Sequence, residues 1–91
     1  MSHYVYIIQS LIDFSFYKGY SADPVKRLKQ HNEGDCHYSS TKTPWKLVYV
    51  ELCNSKPEAL KREKALKKYS HAQIENLIAS SKNIIRKFIS N

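Results

Sequence analysis

Tyr4-Val5-Tyr6-Ile7-Ile8-Gln9, followed after six residues by Phe16-Tyr17-Lys18-Gly19-Tyr20, are the runs whose reading decides the fold. Both are rich in β-branched and aromatic residues and read as strands. Leu11 to Ser15 forms the loop between them, so the pair makes an antiparallel hairpin. The loop contains no Asn-Gly or Asp-Gly, and turn chemistry alone leaves its register open. A turn centred near Leu11-Ile12 makes Tyr6 and Tyr17 cross-strand neighbours, with their phenols side by side.

Working outward, Asp23 is placed to cap a helix and Pro24 suits its first position. That helix runs to about Asn32, with Gly34 as its exit. Arg27 and His31, spaced i,i+4, share a face beside Leu28. His37 to Pro44 is polar and aperiodic and reads as a loop. Trp45-Lys-Leu-Val-Tyr-Val-Glu-Leu52 is the third strand. Ser55 and Glu58 form a capping-box pattern opening a helix to Lys68, and Ser70 and Gln73 repeat it before Ile74, Leu77 and Ile78. Ile84, Ile85, Phe88 and Ile89 recur at helical spacing in a last segment. The order is β-β-α-β-α-α-α: an α+β fold with a three-stranded antiparallel sheet flanked by helices, in one domain over residues 1–91.

The bulk composition narrows the class. Ninety-one residues build one modest core. A hydrophobic share of 42% beside 25% charged residues excludes a disordered chain. Fifteen Lys and Arg against eight Asp and Glu leave a net charge of +7, which favours phosphate-rich partners; the plain reading is a solubilising surface. Cys36 and Cys53 are too few for a disulfide scaffold, and Cys36-His37 with His31 lacks the spacing of a structural zinc site. No apolar run reaches the roughly 18 residues of a membrane span, and the first residues carry no signal pattern, so a cytoplasmic protein without a membrane partner is expected.

One residue is out of keeping with its surroundings. On the helix from Ser55, Ala59, Leu60, Glu63 and Leu66 share a face, while Lys61, Arg62, Lys64 and Lys68 lie around its edges. A carboxylate on a core-facing stripe is costly unless a cation, a metal or hydrogen bonds compensate it. Tyr6, Tyr17, Arg27, His31 and Glu63 together supply a base, a permanent cation and a metal-binding carboxylate. Those are the parts needed to hydrolyse a phosphodiester.

The same residues resemble a known pattern. Tyr4-Val5-Tyr6 with Tyr17-Lys18-Gly19, then Arg27-Leu28 with His31-Asn32-Glu33-Gly34, then Ala59-Leu60-Lys61-Arg62-Glu63 with Lys67, are similar in order and spacing to the GIY-YIG nuclease superfamily. The likeness spans about residues 3–80 and is nearest the small stand-alone bacterial branch, the uncharacterised UPF0213 type. It implies a metal-dependent endonuclease acting on DNA by a one-metal route. In that scheme Glu63 holds Mg2+ (or Mn2+), and Tyr6 serves as general base or relays the water proton. Tyr17 orients water and phosphate, Arg27 clamps the scissile phosphate, and His31 assists proton transfer. Because a free phenol has a pKa near 10, either tyrosine needs help from the metal or Arg27 to act as base. Tyr4 stands where the pattern has its first glycine and Lys18 where it has isoleucine. Asn76 and Asn83 are the candidates for the asparagine that many members place after the metal helix.

Each feature also has a plain structural reading: strand tyrosines with one wet end, solvated helix charges, and a Glu63 ion pair with Arg27 or Lys67. The alternative function is a non-catalytic basic nucleic-acid-binding module with the same fold; a weaker one is a protein-interaction surface around Tyr20 and Tyr38. With little chain beyond the core, low sequence preference is expected, on branched or single-stranded DNA, with backbone contacts from Lys26, Lys29, Lys42 and Lys46. The sequence is compatible with a monomer or weak dimer and with a protein partner that supplies targeting.

Overall fold

The computed structural model describes residues 2–34 and 40–88; Cys36, His37, Tyr38 and Ile89 lie outside them. The elements are β1 (His3–Ser10), β2 (Phe16–Ser21), α1 (Pro24–Asn32), β3 (Trp45–Cys53), α2 (Lys56–Leu66) and α3 (His71–Ile78), then a single 3-10 turn at Ile85–Lys87. The α+β architecture is the one the sequence implies. The helix caps hold as read: Asp23 accepts from the Lys26 amide and Ser70 forms a complete capping box with Gln73. Gly34, at φ 83, ends α1.

The sheet is antiparallel in the order β2-β1-β3. β1 is therefore central, and Val5, Tyr6, Ile7 and Ile8 are all buried because helices or the chain end cover both faces. Val5, Ile7 and Tyr49 pack under Ala59 and Leu66 of α2 and Ile74 and Leu77 of α3. On the other face Tyr6, Ile8, Trp45, Leu47 and Val50 pack with Leu28 of α1 and with Ile84, Ile85 and Phe88. No helix among the described residues is long and apolar enough to cross a membrane.

Two expectations are corrected. Tyr6 pairs with Gly19 and Tyr17 with Ile8, so the two tyrosines are diagonal rather than opposite. The turn centres one residue later than Leu11-Ile12. Ser10 receives the Phe14 amide and donates its own amide to Ser15, and Phe14 takes the left-handed conformation at φ 63 to close the loop. The side-chain period of two still leaves both tyrosines on one face. The second correction concerns the chain end, where the spacing of Ile84, Ile85 and Phe88 produces a 3-10 turn and not a helix. There the Ile84 amide donates 2.9 Å to the Val50 carbonyl, tying the segment to the outer edge of β3.

β3 has a bulge at Val48 in its pairing with β1, with Ile7 opposite Tyr49 and Ile8 opposite Leu47. Asn83 satisfies it: Oδ1 accepts from the amides of Val50 and Ile85, and Nδ2 donates to the carbonyls of Val48 and Ile78. Asn83→Ala removes four hydrogen bonds and is expected to cost about 2–3 kcal/mol, since each is worth roughly 1 and the bulge groups are then under-satisfied. Urea denaturation measures it; a loss below about 1 kcal/mol would contradict this role.

Candidate active site

The alternation of β1 sends Tyr6 toward α1, and the i,i+4 spacing of α1 brings Arg27 and His31 to the side facing it. Tyr6 Oη lies 2.9 Å from His31 Nε2, and both side chains are buried. Tyr17 packs against the imidazole with ring centroids 4.8 Å apart and lies 6.5 Å from the Tyr6 ring. Trp45 closes the group, 6.3 Å from Tyr17 and 6.5 Å from His31. Arg27 donates through Nη1 to Gln30 at 2.9 Å. Burial, and secondarily the Arg27 charge, depress the His31 pKa below its ordinary 6.5, leaving a neutral ring at physiological pH.

Gly19 explains how the phenol gets there. A Cβ on Gly19 would sit 2.5 Å from Tyr6 Oη and 2.6 Å from Cζ, so the tyrosine lies across the bare backbone of its cross-strand partner. Asn32, next to His31, accepts from the Trp45 amide at 2.6 Å and donates to its carbonyl at 3.1 Å. It moors the end of α1 to the start of β3 and fixes the imidazole's position. Sequence reading noted Asn32 only as part of a pattern, and overlooked Trp45 as a wall of the cluster.

Glu63 belongs to α2, in the layer across the sheet. Its side chain is 20% exposed, and Oε2 pairs with Lys67 Nζ at 3.0 Å, the ion pair weighed above. The buried stripe of α2 differs from expectation. Leu60 is 46% exposed, while Arg62 turns inward to Glu51 at 3.2 Å and to the Tyr69 hydroxyl at 3.3 Å. Ala59 and Leu66 set the contact line, which leaves Leu60 beyond it and places Arg62 and Glu63 at its two margins. Tyr49 donates to Glu51, and burial together with that carboxylate raises its phenol pKa well above the ordinary value.

The two layers approach each other at β2, the outer strand. Phe16, Tyr17 and Lys18 line a hollow of about 270 Å3 there together with Lys67, the partner of Glu63. Tyr17, which packs on His31, reaches this hollow from one face of the sheet, and Lys67, the ion-pair partner of Glu63, reaches it from the other. Lys18, read only as a departure from a pattern, is half-buried in this hollow, and desolvation lowers its pKa. Among the described residues no three His, Cys, Asp or Glu side chains gather to enclose a metal. A single carboxylate with one oxygen engaged by a displaceable lysine fits Mg2+, which retains water and takes few protein ligands.

The remaining candidates are scattered. Lys26 and Lys29 are exposed on α1. Lys42 pairs with Asp13 at 3.4 Å, and Lys46 lines a hollow on the α3 side with Gln9 and Glu75. Asn76 is exposed on α3; Asn83 is engaged in the fold at the far edge of the sheet. Tyr20 is half-buried and bonds His3 at 3.0 Å.

This geometry has relatives. Residues 2–76 match the GIY-YIG catalytic domain, and the chain belongs to that family of nuclease domains. Within it, a UPF0213 protein of Staphylococcus saprophyticus is 41% identical over 78 residues, covering 85% of this chain and 94% of that protein. One from Halobacterium salinarum is also 41% identical, over 76 residues, covering 82% and 97%. The solution NMR structure of the UPF0213 protein BH0048 from Bacillus halodurans superposes with a TM-score of 0.57 at 32% identity, covering 97% of this chain and 94% of that one. The particular relatives of this chain are therefore the small UPF0213 proteins.

Two expectations follow from the packing. Gly19→Ala displaces the Tyr6 ring and is expected to cost about 1–3 kcal/mol, typical of overpacking. NMR titration should show the His31 pKa changed once its phenol partner is lost; an unaltered titration and stability would contradict the contact. The depressed His31 pKa means the unfolded chain binds this proton more readily than the folded one. The folded state is therefore favoured fully above about pH 6.5 and loses that advantage as pH falls through the folded pKa. Thermal melts between pH 7.5 and 5 should drop more steeply for the wild type than for His31→Gln.

Proposed function

We propose that this chain is a divalent-metal-dependent endonuclease that hydrolyses DNA phosphodiester bonds with little sequence preference. The observation carrying the proposal is the buried Tyr6–His31 hydrogen bond with Tyr17 packed on it, Tyr17 sharing a hollow at the β2 edge with Lys67, the partner of Glu63. A water attacking phosphorus must lose a proton. Tyr6 Oη can take it while passing its own proton to the neutral Nε2 of His31, so no free phenolate is needed at neutral pH. An arriving phosphate raises the basicity of that imidazole by its negative charge. Arg27 clamps the non-bridging oxygens through its planar fork, and Tyr17 orients the water.

Glu63 would hold Mg2+ or Mn2+, which supplies positive charge to the developing leaving oxygen. The ion pair with Lys67 is no obstacle, since an i,i+4 surface pair is worth only about 0.3–0.5 kcal/mol. Lys67 and Lys18 are then free to meet phosphate, with Lys26 and Lys29 extending the basic surface of α1. Lys46 serves a strand passing over the other layer, and Lys42 contributes after yielding Asp13. The occupied Glu63 carboxylate also supports the second reading, a basic module that binds nucleic acid without cutting it.

The test is cleavage of plasmid, single-stranded and branched DNA with Mg2+ or Mn2+. Cleavage should vanish in chelator and in Glu63→Ala, and fall about 10²–10⁴-fold in Tyr6→Phe, the range of a lost general base. Undiminished cutting by Glu63→Ala rejects the metal assignment. Binding that survives chelation without any cutting favours the non-catalytic module.

A further inference from the structure

The hairpin loop is built inside out. In ordinary turns polar residues face water, yet here Leu11, Ile12 and Phe14 are 48%, 64% and 60% exposed. The one acidic residue of the tip is turned back into the loop: Asp13 Oδ1 accepts from the amide and hydroxyl of Ser15 at 3.0 and 2.7 Å, and Oδ2 pairs with Lys42. Hydrogen bonds from Ser15, the hydroxyl foremost, hold the Asp13 carboxyl down at about 2.

The loop is also braced far beyond what closing a hairpin requires. The buried Ser10 hydroxyl donates to the Lys42 carbonyl at 2.7 Å and accepts from the Ile12 amide at 3.1 Å. Gln9 Nε2 holds the Phe14 carbonyl at 3.1 Å, and the Leu11 amide donates to the Pro44 carbonyl at 2.9 Å. Phe14 adopts φ 63, a conformation that favours glycine and disfavours a bulky residue. Strain retained at an exposed aromatic, in a frame that over-determines it, points to a use for that side chain.

Resting on the nuclease reading and deepening it, we infer that the Leu11-Ile12-Phe14 tip is a rigid wedge that enters the base stack at a junction between double- and single-stranded nucleic acid. Three features select bases over a protein partner. Phe14 is three residues from Tyr17 along the chain, so its backbone lies at most about 10 Å from that of Tyr17, the limit set by extended-chain spacing. Lys42 at the root and Lys46, paired with Gln9 on the neighbouring strand, put cations beside an apolar point. Apolar tips flanked by cations are the means by which proteins pry apart base steps while holding the phosphates. The chain carries a net charge of +7, which attracts a polyanion, and the acidic residue of the tip, Asp13, is paired with Lys42. A junction has an unstacked base available at lower cost than an intact duplex, so the wedge selects structure and not sequence.

The experiment uses a DNA fork carrying 2-aminopurine at the first base pair of its junction, with the full chain in chelator so that no strand is cut. The wild type should raise the probe's fluorescence. Ile12→Ser with Phe14→Gly should abolish the rise and weaken fork binding about tenfold, the scale of one lost stacking contact, while affinity for unbroken duplex stays within about twofold. Phe14→Gly alone relieves the φ constraint, so its melting temperature should be no lower than the wild type's while the fluorescence rise is lost. Equal fluorescence and equal fork affinity in wild type and variants would overturn the wedge. So would sedimentation showing that the tip instead joins two copies of the chain in a dimer that the variants dissociate. A plasmid-nicking assay with Mg2+ separates the two claims. Nicking retained with tip-independent fork binding leaves the nuclease reading and removes the wedge; tip-dependent fork binding without nicking does the reverse.

Discussion

The phenol of Tyr6 lying across Gly19 to reach His31 is the contact on which the site depends. It needs a central strand buried on both faces, a partner residue without a Cβ, and a helix whose C-terminal turn is moored by Asn32 to Trp45. Remove any of these and the imidazole, the phenol and the neighbouring Tyr17 no longer pack together. Burial matters chemically, because it lowers the His31 pKa and keeps the ring neutral and able to accept a proton.

Among the described residues the two edges of the sheet, β2 and β3, are treated differently. β3 closes its own outer side with Asn83 and Ile84, which answer the bulge and the unpaired backbone groups. At β2, Tyr17 on the α1 face and Lys67 of α2 line one hollow. Edge strands are a hazard for aggregation, and here β2 is short, carries Lys18, and lies beside Lys67.

Much of this was legible in the chain. Strand composition, the Asp23 and Ser70 caps and the spacing of Arg27 and His31 are local signals, and local signals gave the elements and their order. Glu63 was singled out because the helical period puts it on one face with Ala59, Leu60 and Leu66, and the structure places it at the margin of that face, paired with Lys67. Its neighbours were harder: periodicity put Leu60 inside and Arg62 outside, but the contact line is set by where Ala59 and Leu66 meet the sheet and by the pull of Glu51 on Arg62. The hairpin register was hidden because it rests on Phe14 taking a conformation that its residue type resists. The last helix failed for a tertiary reason, since hydrogen bonds to β3 outbid helical ones over so short a segment. Of the two candidates for the asparagine after the metal helix, Asn83 is hydrogen-bonded into the fold at β3 and Asn76 is exposed on α3.

The central claim is that two layers of the sheet form one catalytic centre at the β2 edge. Paramagnetic broadening of NMR signals by Mn2+ tests it directly, because the effect is confined to groups close to the ion. The account predicts that one bound Mn2+ broadens signals of Glu63 and also of Tyr17 and Lys18, and that Glu63→Ala abolishes all of these together. Broadening restricted to α2, with Tyr17 untouched, would contradict it and leave the tyrosine–histidine cluster and the carboxylate as separate features.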